Sequence, residues 1–213
     1  MAKSKMSASQ RYSGKSFKSS LKAFGLGKLI SASLGLVNFS FLTRALLVGE
    51  YGNYVAIFAA IELGLFFSII GIDWVAVRYI PQFRAKGDDR LLARFIGAIL
   101  AIRFGQLLLL ATLFYSLLPY FSTLGLPGNW HAYSLCICMI VAFEGAARFI
   151  REFLFESLLL QKYSQISLVA RSSIVTIGLI WIVKSGSNNL DNVLIIESAA
   201  VLINKIFLDI ILF

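Results

Sequence analysis

The chain has 213 residues, of which 58% are hydrophobic and 15% charged, with a net charge of +9 and a mean hydropathy of +0.80. A soluble domain averages about 45–50% apolar and about 25% charged residues, so too little polar surface exists here to cover a water-soluble globule. The two cysteines, Cys136 and Cys138, point to different faces of a helix at that spacing, and the one histidine, His131, stands beside a loop. A disulfide, a shared metal and histidine-based chemistry are therefore not expected.

In chain order, residues 1–24 form a basic tail, and residues 25–213 form a transmembrane unit. A helix needs roughly 20 mostly apolar residues to cross the hydrocarbon core. Six runs meet that length or come close to it: residues 25–47, 51–80, 92–118, 132–160, 166–183 and 192–213. Turn residues separate them: Gly49 and Gly52, then Pro81 and Gly87, then Pro119, Pro127 and Gly128, and finally Ser185 to Asn189. On the first run, Gly27, Ser31 and Gly35 repeat every fourth position, the small-residue spacing of closely packed membrane helices.

Charge orients the runs. The tail and the start of the first run carry Lys3, Lys5, Arg11, Lys15, Lys18, Lys22 and Lys28, with no acid before Glu50. The second connection adds Arg78, Arg84, Lys86, Arg90 and Arg94, and the fourth adds Arg148, Arg151, Lys162 and Arg171. Together these are sixteen of the twenty basic residues. The positive-inside tendency then puts the N-terminus and the even-numbered connections in the cytoplasm. The tail's charge reads as topology and attraction to anionic lipid rather than nucleic-acid binding.

Other charges fall within the runs, where each costs at least about 2.5–3.5 kcal/mol at the bilayer centre. Tyr51, Glu62 and Asp73 are eleven apart, close to three helical turns, which predicts one shared face on the second run. Glu144, Arg148 and Glu152 repeat at i, i+4, with Arg151 on that side. Glu197, Val201, Lys205 and Asp209 make a third row, and the third run holds Arg103 with Gln106. Mutual neutralisation accounts for any single pair. A shared polar lumen accounts for all of them together.

The stretch from Leu42 to Phe83, "LTRALLVGEYGNYVAIFAAIELGLFFSIIGIDWVAVRYIPQF", resembles the first two spans of the polysaccharide (oligosaccharide-lipid) flippases of the multidrug/oligosaccharidyl-lipid/polysaccharide exporter superfamily. Arg44, Leu46, Glu50, Tyr51, Gly52, Gly71, Arg78 and Tyr79 match their pattern, while Asp73 follows Gly71 where the pattern has an acid before it. "GDDRLLARFIGAILAIRFG" and "FLFESLLLQKYSQISLVARS" look like that family's second and fourth connections. The resemblance implies an all-α integral membrane protein whose six transmembrane helices form one lobe of a two-lobe exporter. That lobe would be the N-terminal part of a longer transporter in the bacterial inner membrane. It would pass a polyprenyl-diphosphate-linked oligosaccharide across the membrane for polysaccharide biosynthesis.

In that reading Arg44, Arg103 and Arg148 are cationic stations for the diphosphate, because a guanidinium matches phosphate oxygens bidentately. Glu62, Asp73 and Glu144 balance the arginines or couple transport to an ion. The implied partners are the lipid-linked substrate, membrane lipid, and a second lobe or polysaccharide synthesis proteins, with no cofactor. A cation-coupled multidrug exporter of the same superfamily is the alternative, together with a non-transporting subunit of an exopolysaccharide synthesis complex. No pattern of an enzyme appears: neither a nucleophile–histidine pair nor a phosphate-cradling glycine loop is present.

Overall fold

A computed structural model describes residues 14–69, 71–87, 89–123, 133–158 and 160–212. His131, Pro127, Gly128 and the first part of the basic tail lie outside the described residues. Among those described, the chain is all-helical. The long helices are α1 (Gly14–Ala45), α2 (Val48–Phe67), α3 (Ile72–Lys86), α4 (Asp89–Thr123), α5 (Ser134–Phe149), α6 (Gln161–Ser185) and α7 (Leu190–Leu212). A π-type turn, Ile150–Leu154, extends α5.

Three helical segments are long and apolar enough to cross a membrane: Phe24–Ala45, Asp89–Leu117 and Gln161–Ser185. Helices α2 and α3 qualify together as one span bent by 57°. Outward faces carry large apolar side chains: Leu36 of α1, Leu109 of α4 and Ile210 of α7 are each more than 70% exposed. Polar side chains such as Asp73, Arg103, Glu144 and Glu197 are buried instead. That inversion of the soluble pattern is the physical signature of a chain solvated by lipid. The α5 and α7 segments fall short of the same test: α5 is only 16 residues before its π-type turn, and α7 carries Asp191, Glu197, Lys205 and Asp209.

Three local expectations are corrected. The Gly49–Gly52 turn is the start of α2, where the Glu50 carboxylate accepts from the Leu47 N–H at 3.3 Å and sits favourably at the helix N-terminus. The second run is not one helix: Gly71 takes a φ of 68° that only glycine adopts freely, and α3 restarts behind it. Tyr51 and Glu62 therefore share α2, but Asp73 lies beyond the bend and leaves their face. Likewise, the fourth run is not a regular α-helix throughout: a π-type turn interrupts it at Ile150–Leu154, although Glu152 still lines the same cavity as Glu144 and Arg148.

Two apolar clusters make the core. One joins Leu42, Ile57, Leu107, Ile137, Leu179 and Leu194 from α1, α2, α4, α5, α6 and α7. The other joins Ala76, Ile96, Phe149, Phe155 and Leu208 from α3, α4, α5 with its extension, and α7. Helix α5 runs through both, and its charges from Glu144 to Arg151 fall where the clusters meet. Helix α1 lies along α6. Their seam closes on Gly27, which is buried against Gln165, and on Asn38, which donates to the Ser172 carbonyl at 3.3 Å and accepts from the Thr176 hydroxyl. Hydrogen bonds and a small residue at close approach are the usual means of holding helices together where lipid competes with apolar packing.

Candidate functional site

Between α1, α5 and α6 lies a cavity of about 460 Å³ whose wall is charged. Lys28, Arg148, Arg151 and Arg171 line it together with Glu144, Glu152 and Glu156. Its floor is an ion-pair network drawn from four helices and the π-type turn. Arg148 grips Glu62 of α2 with both terminal nitrogens, at 2.7 and 2.8 Å. Glu144 accepts from Arg151 at 2.8 Å and from Arg171 at 3.3 Å. Arg171 also reaches Glu197 of α7 at 3.4 Å, and the Tyr54 hydroxyl donates to Glu197 at 3.2 Å. Asn204, with its amide turned so that both ends are satisfied, accepts from Arg151 at 2.7 Å.

Burial grades this network. The Glu144 and Arg151 side chains are only 5% and 6% exposed, whereas Glu62 is 55% exposed and Arg148 31%. Two atoms in the buried part carry unmet hydrogen-bonding capacity: Glu144 Oε2 and Arg171 Nε have no partner. A buried group with no partner is costly, so such atoms mark where a ligand or a rearranged pair gains most.

The structure brings together three of the six candidate residues. Arg148, Glu62 and Glu144 belong to the network, although Arg148 pairs with Glu62 across helices rather than with Glu144 along α5. Arg103 of α4 lies outside this groove but borders a smaller cavity, of about 100 Å³, together with Glu62 and Arg148. It is buried, donates to the Ser68 carbonyl at 2.6 Å, and also lines a more apolar cavity of about 480 Å³ beside the Lys205–Asp209 pair. Asp73 is fully buried with neither carboxylate oxygen hydrogen-bonded. Arg44 is exposed in the last turn of α1. It lies sixteen residues beyond Lys28, roughly 24 Å along the helix axis.

Arg171 is the main residue that sequence reasoning misplaced. It is counted with the cations of the fourth connection although the run at residues 166–183 contains it, and it sits in the interior of α6, where it joins Glu144 to Glu197. The available signal was its position in a helical run, ten residues after Gln161 and followed by an apolar stretch. Tyr54, three turns before the end of α2, carried no signal at all. Among the described residues, no group of three or more His, Cys, Asp or Glu side chains could hold a metal ion. Comparison with known protein families, with characterised proteins and with solved structures gives no significant match to the chain.

Proposed function

We propose that the chain is a six-span lobe of a bacterial inner-membrane exporter, with its N-terminus in the cytoplasm. The exporter flips a polyprenyl-diphosphate-linked oligosaccharide for polysaccharide biosynthesis. The observation that carries this reading is the charged groove. Four cations converge there inside an otherwise lipid-solvated bundle, and arginine forks are suited to diphosphate oxygens. The carboxylates hold the arginines when the groove is empty and yield them to the incoming phosphates. The sugars lie in the wet groove while the lipid stays in the bilayer. A second lobe encloses the groove, and the two rock to expose it alternately to each side.

A cation-coupled drug exporter is the second reading. It draws on Asp73, a buried acid with no hydrogen-bond partner that could take up a proton or ion. Surface polysaccharide in a strain lacking its own flippase separates the two. The full transporter is expected to restore display, and Arg171→Ala and Arg151→Ala to abolish it while the protein still inserts. Normal display by both variants would remove the groove from the mechanism. Full complementation by a demonstrably monomeric 213-residue chain would rule out the need for a second lobe.

A further inference from the structure

The charged groove has two unlike ends. Along α6 it is lined by Ser164, Gln165, Leu168 and Arg171, a stripe about 10 Å long along the helix axis. At the Arg171 end, Glu144 holds Arg151 and Arg171, and Arg148 holds Glu62. Toward the other end the chain doubles back, and the Leu160 N–H donates to the Phe155 carbonyl at 2.7 Å. That reversal sets Glu152 and Glu156 level with the start of α6, whereas the Arg151 side chain reaches back to Glu144.

Helix α1 completes that other end. Gly27 packs on Gln165 and Asn38 on Thr176, the same offset along both helices, so α1 and α6 run parallel and in step. Phe24 and Lys28 are therefore level with the first turns of α6, and the Lys28 ammonium lies 5.6 Å from the centre of the Phe24 ring. Gln165 is only 6% exposed, and its Oε1 is buried without a hydrogen-bond partner. Ser164 beside it is also buried. This end thus offers an amide, a hydroxyl and an aromatic ring, with one cation against two acids, where the other end offers three arginines.

We propose that the groove is polarised: the diphosphate is held at the arginine end, and the first sugar lies at the Ser164–Gln165 end, which selects a neutral hexose over a uronic acid. The inference rests on the lipid-linked substrate proposed above; what it adds is the place of the first sugar and the class of sugar admitted. Phosphate oxygens only accept hydrogen bonds, so they cannot satisfy Gln165 Oε1, whereas a sugar hydroxyl can donate to it. Ser164 bonds a second hydroxyl, and the apolar face of the sugar ring packs on Phe24. A sugar carboxylate in the same place would lie beside Glu152 and Glu156, where like charges repel. The reverse orientation would set the phosphates against those two acids with only Lys28 to hold them.

The test measures Kd by isothermal titration calorimetry for the protein in lipid nanodiscs, with three probes: farnesyl diphosphate, farnesyl-diphosphoglucose and farnesyl-diphosphoglucuronic acid. The glucose probe is expected to bind at least about threefold tighter than farnesyl diphosphate through its hydroxyl contacts. It should also bind about fivefold tighter than the glucuronic acid probe, which differs only by its carboxylate. Gln165→Met keeps the length of the side chain and should erase the gain of the glucose probe while leaving farnesyl diphosphate unchanged. Glu156→Gln, at an exposed position, should bring the glucuronic acid probe toward the glucose probe, and it decides the matter if the first variant fails to fold. Equal Kd for the two sugar probes, or an equal loss of all three probes in folded Gln165→Met, would overturn the polarised groove and leave the diphosphate reading standing. Farnesyl diphosphate that excess inorganic diphosphate does not displace would overturn the diphosphate reading, and this inference with it.

Discussion

Glu144→Gln tests the buried half of the network most directly. The glutamate is 4% exposed and neutralises two arginines, at 2.8 and 3.3 Å. Removing its charge leaves Arg151 and Arg171 in the interior with only Asn204 and Glu197 to face. Breaking a buried pair in this way costs about 3–5 kcal/mol. For a chain of this size that corresponds to a fall in Tm of about 6–20 °C. Glu62→Gln is the matched control, because it removes the same chemistry from a pair that is 55% and 31% exposed. Screened by water in an open groove, that pair is worth about 0–1 kcal/mol, and Tm should fall by no more than about 4 °C. Thermal unfolding of the purified protein in detergent, followed by size-exclusion fluorescence, reads both variants side by side. Adding Arg171→Gln to Glu144→Gln should recover part of the loss, since coupled partners are not additive. Equal losses for the two single variants would refute the reasoning, because Glu62 and Arg148 would then be paired in hydrocarbon and not in water.

Asp73→Asn removes a fully buried carboxylate that has no hydrogen-bond partner but faces the charge of buried Arg103, and its Tm is expected to fall by less than that of Arg103→Leu. Arg103→Leu removes the donor to the Ser68 carbonyl at the α2–α3 bend and should cost about 1–3 kcal/mol, so equal losses at the two positions would contradict their assignments. Gly27→Ala should destabilise by forcing α1 away from Gln165, whereas Gly35→Ala, with open space around it, should be neutral or gain up to about 1 kcal/mol of helix propensity; the Tm of each variant decides this. In a background lacking Cys136 and Cys138, a cysteine at Asn188 should react with an impermeant thiol reagent from outside intact cells, and one at Lys86 only after permeabilisation. The reverse pattern would invert the topology.

Several features of the chain follow from its residues taken singly or in short runs. The apolar excess dictates helices solvated by lipid, because only an internally hydrogen-bonded backbone is tolerated there. Gly87 and Gly186 stop helices where expected, each at a positive φ. Of the small residues spaced for close packing, Gly27 is a close-contact position whereas Gly35 faces open space, and Lys205 meets Asp209 one turn away. These are contacts within a helix or properties of one residue, and linear spacing encodes them. What spacing could not encode is which helix faces which. Arg148 meets Glu62 rather than the nearer Glu144, Arg171 leaves its apparent loop to join Glu144 and Glu197, and Arg103, Asp73 and Arg44 stand outside the groove. The bend at Gly71 and the turn at Ile150–Leu154 each rotate everything beyond them, and a rotation of one helix changes every partner its side chains can reach. The residues fixed which charges had to be hidden; the packing angles of seven helices decided which of them meet.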